Sequence, residues 1–341
     1  MTTGVNFHEY QFSFHGHGLC YKTSSRTLLS SVAAWAHEFR QAELGGEVSL
    51  TITFEEVSSR DAVPLVKSPS SRLLFSGTKP ALGSSMRALW QCDVIQDEGR
   101  LVVDVHEQAV LVIQPERGTA HGYFLCPETM HPDLLESFFH YALAELLKRR
   151  NMFTLHATAL EYHGRGLLIP GCSGCGKTTA LLSLLQSGYR YLSDDHPILR
   201  DAGTRLELLA VPMKIDVTEQ TIAFFPELRE AVSGLLRQGV YKKSFYAEDL
   251  FADPLGRSCE PVMIVFPHLT NMSHSCLEPI PKSEALETLL PQPSLIHDED
   301  TARREFQTLS KLVQQTACYR LHFGQDVLDL PQLISPLLER H

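Results

Sequence analysis

Nine consecutive residues, Gly171-Cys-Ser-Gly-Cys-Gly-Lys-Thr-Thr179, follow the G-x-x-x-x-G-K-[ST] pattern of a phosphate-binding loop. Glycines at 171, 174 and 176 let the backbone fold tightly and turn its N–H groups inward on one anion. Gly171, Cys172, Ser173, Gly174, Cys175, Gly176, Lys177, Thr178 and Thr179 are therefore the expected nucleotide-binding residues. Lys177 would reach the outer phosphates and the Thr178 hydroxyl would sit on Mg²⁺, so ATP and Mg²⁺ are the expected cofactors. Downstream stands the pair Asp194-Asp195. A hydroxyl attacking a phosphate needs its proton removed and its oxygen placed in line, and Asp195 could do both as general base. Asp194 could hold Mg²⁺ together with Thr178. Adjacent strand residues point to opposite sides, so both serve one site only if the strand has ended before them. The plainer alternative makes one aspartate a magnesium ligand and the other the cap of a turn.

The elements that must position these residues are legible around the loop. The apolar run Leu167, Leu168, Ile169 reads as a buried strand entering it. Leu181, Leu182, Leu184 and Leu185 give the following helix an apolar face, its N-terminus lies beneath the phosphates, and Gly188 is placed to end it. A short strand, Tyr189 to Leu192, leads to the aspartates. Upstream, Phe153 to Glu161 reads as one strand and Tyr162-His163-Gly164-Arg165 as a turn, so the strand entering the loop is the second arm of a hairpin. His156 lies on that first arm, where hairpin geometry can return it beside the loop; a hydrogen-bonded core histidine is the equal alternative. Pro197 to Leu199, Leu206 to Leu209, Pro261 to Pro267 and Cys318 to Phe323 read as strands, and Glu227 to Arg237, Ser283 to Leu290, Asp298 to Gln315 and Pro331 to Glu339 as helices. Gln238 to Asp253 reads as a polar, mobile stretch, in which Lys242 and Lys243 could clamp a phosphate or form a solvated surface pair.

Residues 1–150 are expected to form a separate α/β domain with its own core, and 151–341 the nucleotide-binding domain. Leu28 to Arg40 has helical spacing and Val48 to Val57 alternates as a strand. Ser58 to Ser85 is Ser- and Pro-rich loop with a short strand at Arg72 to Phe75. From Leu89 to Cys126 the chain reads as an antiparallel meander with turns near 97–99, 106–108 and 115–118, followed by a helix from Asp133 to Arg150. His8 and His15-Gly16-His17 carry nothing that fixes a metal geometry and read as surface histidines.

Composition sets the wider bounds. With 341 residues, 43% hydrophobic and 21% charged, the chain has the makeup of a globular protein. No apolar run approaches the ~20 residues of a membrane span, and the N-terminus lacks the basic start and apolar core of a secretory signal. The net charge of -10 and the lack of a basic stripe argue against nucleic acid as partner. Eight scattered cysteines do not form a disulfide framework. A cytoplasmic, reduced protein is expected, with homo-oligomer formation left open. Cys172-x-x-Cys175 has redox or zinc spacing, yet both residues fill variable loop positions. We expect their side chains to be incidental, although a thiol beside helix-terminal N–H groups could be unusually acidic and oxidisable.

From His156 to Asp195 the string LHATALEYHGRGLLIPGCSGCGKTTALLSLLQSGYRYLSDD resembles the catalytic core of the HPr kinase/phosphorylase-like family, which shares its nucleotide core with ATP-dependent phosphoenolpyruvate carboxykinases. The shared pattern is His156, the loop Gly171 to Thr178, Gly188 and Asp194-Asp195; weaker echoes extend through Val211-Pro-Met-Lys214 and the segment 318–324. Thr179 stands where the bifunctional HPr enzymes carry an acidic residue. The resemblance implies an α/β fold with α+β character and a P-loop domain of HPr kinase/carboxykinase type. It also implies that His156 lies near the transferring phosphate, with Asp195, Asp194 and Lys177 catalytic. The activity it implies is Mg-ATP-dependent phosphorylation of a Ser or Thr hydroxyl on a peptide or protein. A nucleotide-hydrolysing switch without an acceptor and a small-molecule kinase are the competing readings.

Overall fold

The computed structural model describes residues 7–29, 32, 47–63, 68–80, 89–231, 242–290 and 298–340. It divides into two compact units at Arg150/Asn151. Each unit is built on a large mixed sheet.

In the first unit the strands are β1 (His8–Phe14), β2 (His17–Thr23), β3 (Val48–Val57), β4 (Arg72–Pro80), β5 (Leu89–Asp97), β6 (Arg100–Val105), β7 (Ala109–Gln114) and β8 (Thr119–Leu125). Their order is β1-β2-β3-β8-β7-β6-β5-β4. Strands β4 to β8 form the antiparallel meander, while β2/β3 and β3/β8 pair in parallel. Strand β4 runs to Pro80, well past the short strand expected at Arg72 to Phe75, because it finds a partner along all of β5. The β1–β2 hairpin carried no sequence expectation; its turn is His15-Gly16, both at positive φ (47° and 88°), a backbone suited to a tight hairpin. Helix α1 (Pro132–Lys148) lies against β3, β7 and β8. Its Phe138 and Phe139 are fully buried among aromatic rings, with Phe138 centroids 5.1 Å from both Trp90 and Phe124, and Phe139 5.7 Å from Tyr21. Most of the helix expected at Leu28 to Arg40 lies outside the described residues.

The second unit has strands β9 (Met152–Thr154), β10 (Ala157–Tyr162), β11 (Arg165–Pro170), β12 (Arg190–Ser193), β13 (Ile198–Asp201), β14 (Leu206–Leu209), β17 (Ser258–Leu269), β18 (Cys276–Pro279) and β19 (Ala317–Phe323) in one sheet. Strands β15 (Ile215–Thr218) and β16 (Lys242–Phe245) form a separate ribbon. Twelve-residue β17 is the spine: it pairs in parallel with β11 on one side and β19 on the other. The C-terminal ends of these three parallel strands consequently share one sheet edge, where ligands of α/β sheets bind. Helices α2 (Lys177–Leu185) and α7 (Leu330–Leu338) share one apolar cluster, with the ribbon's Ile215, Val217 and Phe245. Helices α5 (Lys282–Leu289) and α6 (Glu299–Gln315) share another, and β-strand residues contribute to both. Between them come the short α3 (Glu219–Phe224) and α4 (Leu228–Ala231).

Two expectations are corrected here. The single strand expected at Phe153 to Glu161 is two strands, β9 pairing with β13 and β10 with β11 and β12, and His156 lies in the break between them. The stretch Gln238 to Asp253 is not uniformly loop: residues 242–245 form β16, zipped onto β15, whereas 238–241 lie outside the described residues. The hairpin β10–β11 is formed as expected, closed by His163-Gly164 at φ 51° and 81°.

Candidate functional site

The loop opens where β11 ends and closes where α2 begins. Gly171, Gly174 and Gly176 all take positive φ (153°, 84° and 98°). At Gly176 a side chain is excluded twice over, since a Cβ there would also meet the ring of Phe323, at the end of β19, at 2.9 Å. The Lys177 Nζ donates to the carbonyls of Gly171 (2.8 Å) and Cys172 (3.2 Å), which places the ammonium across the mouth of the loop. A phosphate seated in the loop would compete with those carbonyls for it. Thr179 turns its hydroxyl the other way, to 3.4 Å from that of Thr221 in α3.

Strand β12 ends at Ser193, so Asp194 and Asp195 lie beyond it and are free of strand alternation. Asp194 is buried and held at three points. The Thr178 hydroxyl donates to its Oδ2 at 3.0 Å, and the Thr158 hydroxyl on β10 lies 2.8 Å from its Oδ1 and 2.9 Å from its backbone carbonyl. Burial, and then the neighbouring Asp195 charge, push the Asp194 carboxyl above the usual carboxylate range. Asp195 is half-buried, and its Oδ1 lies 3.9 Å from Nδ1 of His156. The break between β9 and β10 is what turns His156 to this point. His196 is half-buried with its Nε2 shielded from solvent, its ring centroid 6.2 Å from that of His156, and desolvation pulls its pKa down to about 4, so it is neutral near pH 7.

The structure thus brings Lys177, Thr178, Asp194, Asp195 and His156 into one region around the loop. It does not bring Lys243 there as a free cation: its ammonium pairs with Glu219 at 3.0 Å. Sequence reasoning missed Thr158 and His196. Thr158 is the polar residue in the otherwise apolar start of β10, and a buried hydroxyl among Ala157, Ala159 and Leu160 was the available signal. The expected acidic thiol is corrected for Cys175, whose pKa is raised by burial. Among the described residues no three His, Cys, Asp or Glu side chains are grouped to hold a metal.

The donor set at Asp194 nonetheless suits one hard cation. Thr178 Oγ1 and Asp194 Oδ2 stand side by side as oxygen ligands of the kind Mg²⁺ takes alongside substrate phosphates and water. A buried carboxylate beside a second carboxylate is costly to ionise, and a divalent cation offsets that cost.

No model of a known protein family matches the sequence. Among solved structures, the HPr(Ser) kinase/phosphatase from Coxiella burnetii is similar over 55% of this chain and 95% of its own, with 16% identity and a TM-score of 0.30.

Proposed function

We propose that residues 151–341 form a Mg-ATP-dependent phosphotransferase that moves the γ-phosphoryl group onto a Ser or Thr hydroxyl of a peptide or protein. The observation that carries this reading is the placement of Asp194, which joins the helix after the phosphate loop to β10 through Thr178 and Thr158, with Asp195 and His156 alongside. Lys177 and the loop amides would hold the outer phosphates. Thr178 and Asp194 would hold Mg²⁺, which when bound neutralises charge gathering on the γ and bridging oxygens. Asp195 is accessible enough to take the proton of an acceptor hydroxyl as its oxygen bonds to phosphorus and the bond to the bridging oxygen breaks. His156, within 3.9 Å, would orient that carboxylate.

The test separates binding from transfer. ATP with Mg²⁺ should raise the melting temperature, since a ligand bound only by the native state adds RT ln(1+[L]/Kd), and Lys177→Ala should remove most of that shift. Asp195→Asn should keep the shift while lowering transfer from γ-labelled ATP into acceptor peptides by roughly 10²- to 10⁴-fold. If Asp195→Asn abolishes binding too, the residue is a metal ligand. If labelled phosphate reaches only water, the protein is a nucleotide switch.

A further inference from the structure

The proposed function leaves one feature of the loop without a role: its two cysteines. Cys172 is exposed and Cys175 half-buried, and both are free thiols. The Cys175 N–H points back to the Cys172 carbonyl at 3.4 Å, closing a four-residue turn in which Gly174 supplies the positive φ (84°) of the second central position. Such a turn holds its end Cα atoms under about 7 Å apart, close to the roughly 4.4–6.8 Å that a disulfide spans. The Cys175 sulfur lies against the backbone of Gly171, 2.5 Å from where a Cβ would project, so no side chain at 171 separates it from the loop's opening residues.

We propose that Cys172 and Cys175 form a reversible disulfide under peroxide and that this bond opposes nucleotide binding. The exposed Cys172 thiolate attacks hydrogen peroxide, forming a sulfenic acid and, with a proton, one water. Cys175 then displaces the sulfenic oxygen as a second water and the S–S bond forms. Two thiols are oxidised by two electrons, one peroxide is reduced, and two waters leave.

The opposition follows from the same turn. To serve a phosphate, the Cys175 N–H must leave the Cys172 carbonyl and point inward. A disulfide across 172 and 175 holds the turn closed. By linkage, a bound nucleotide must disfavour the disulfide to the extent that the disulfide disfavours the nucleotide. This second half rests on the loop binding nucleotide, whereas the bond itself does not.

The test uses the full chain. Trypsin releases Gly166–Lys177, which contains these two cysteines and no others. After mild peroxide and alkylation, that peptide from the wild type should be lighter than its reduced form by about 2 Da and carry no alkyl group; dithiothreitol should restore two alkylated thiols. In Cys175→Ser, dimedone should label Cys172. With Mg-ATP at ten times its Kd only the free fraction reacts, so the disulfide should form about elevenfold more slowly. Two free thiols after peroxide, a sulfinic acid in place of the bond, or pairing of either cysteine elsewhere would overturn the proposal. An unchanged oxidation rate, in protein whose ATP-dependent thermal shift is intact, would overturn the opposition. Absence of that shift in the reduced protein would count against the nucleotide reading while leaving the disulfide result to stand or fall alone.

Discussion

Gly176 shows how much one position at the loop is asked to satisfy. It is the N-cap of α2, takes φ 98°, and lets the ring of Phe323 approach to within van der Waals contact. An L-residue in the left-handed region costs roughly 1–2 kcal/mol. A Cβ 2.9 Å from a buried phenylalanine ring adds overpacking, because Phe323 has little space to retreat. Gly176→Ala should therefore lower stability by about 2 kcal/mol or more, read as a fall in the denaturation midpoint. On the proposed function it should also reduce the ATP-dependent shift, since the loop N–H groups it displaces would hold the phosphates. An unchanged midpoint would show that the ring moves freely. Such demands are why the loop was readable: each of its glycines answers a local backbone need that neighbours in sequence make visible. Thr158 stands out as a lone hydroxyl among Ala157, Ala159 and Leu160, but its role was not readable, for the opposite reason. Its hydroxyl has meaning only through Asp194, 36 residues away along the chain.

Elements show the same division between local and distant causes. Helix α1 was legible from its apolar stripe, and the structure fills that stripe with buried rings. Phe138→Ala would leave a cavity between Trp90 and Phe124 and should cost about 3–5 kcal/mol. Because both tryptophans, Trp35 and Trp90, belong to residues 1–150, the loss should appear as an earlier transition in tryptophan fluorescence. A midpoint within error of wild type would mean the ring's neighbours close the gap. The break at His156 was hidden because Phe153 to Ala159 alternates apolar and polar residues without interruption, as one strand would; only partner choice, β9 with β13 and β10 with β11, divides it. Strand β18 escaped notice for a related reason: with Pro279 and mostly exposed residues it has no strand pattern of its own and exists by pairing with β19.

At the scale of the whole molecule, the first of the two units carries an acid response of its own. In the first, buried Asp97 accepts hydrogen bonds from the Ser68 N–H and the Ser71 hydroxyl and pairs with Arg100, and these donors hold its carboxyl well below the usual range. A depressed folded-state pKa gives stability that is present above the unfolded value, near pH 4, and is lost as pH falls through the folded one. Asp97→Asn should thus weaken the first unit at pH 7 and flatten its fluorescence-detected loss of stability below about pH 4. Equal slopes for wild type and variant would refute the assignment. The hairpin β10–β11 has a different bearing on the second unit. Its tip, His163-Gly164, is separated from the phosphate loop by the six residues of β11, about 20 Å of extended chain. New sequence added there would enter at the far end of the strand, leaving the register of Ala157 to Tyr162 against Arg165 to Pro170 untouched. A flexible Gly-Ser insert between 163 and 164 should therefore keep the ATP-dependent shift, and the same insert between Pro170 and Gly171 should abolish it. The tip is in that sense a port, where a fluorophore or a second domain could be grafted to report on the nucleotide without touching it.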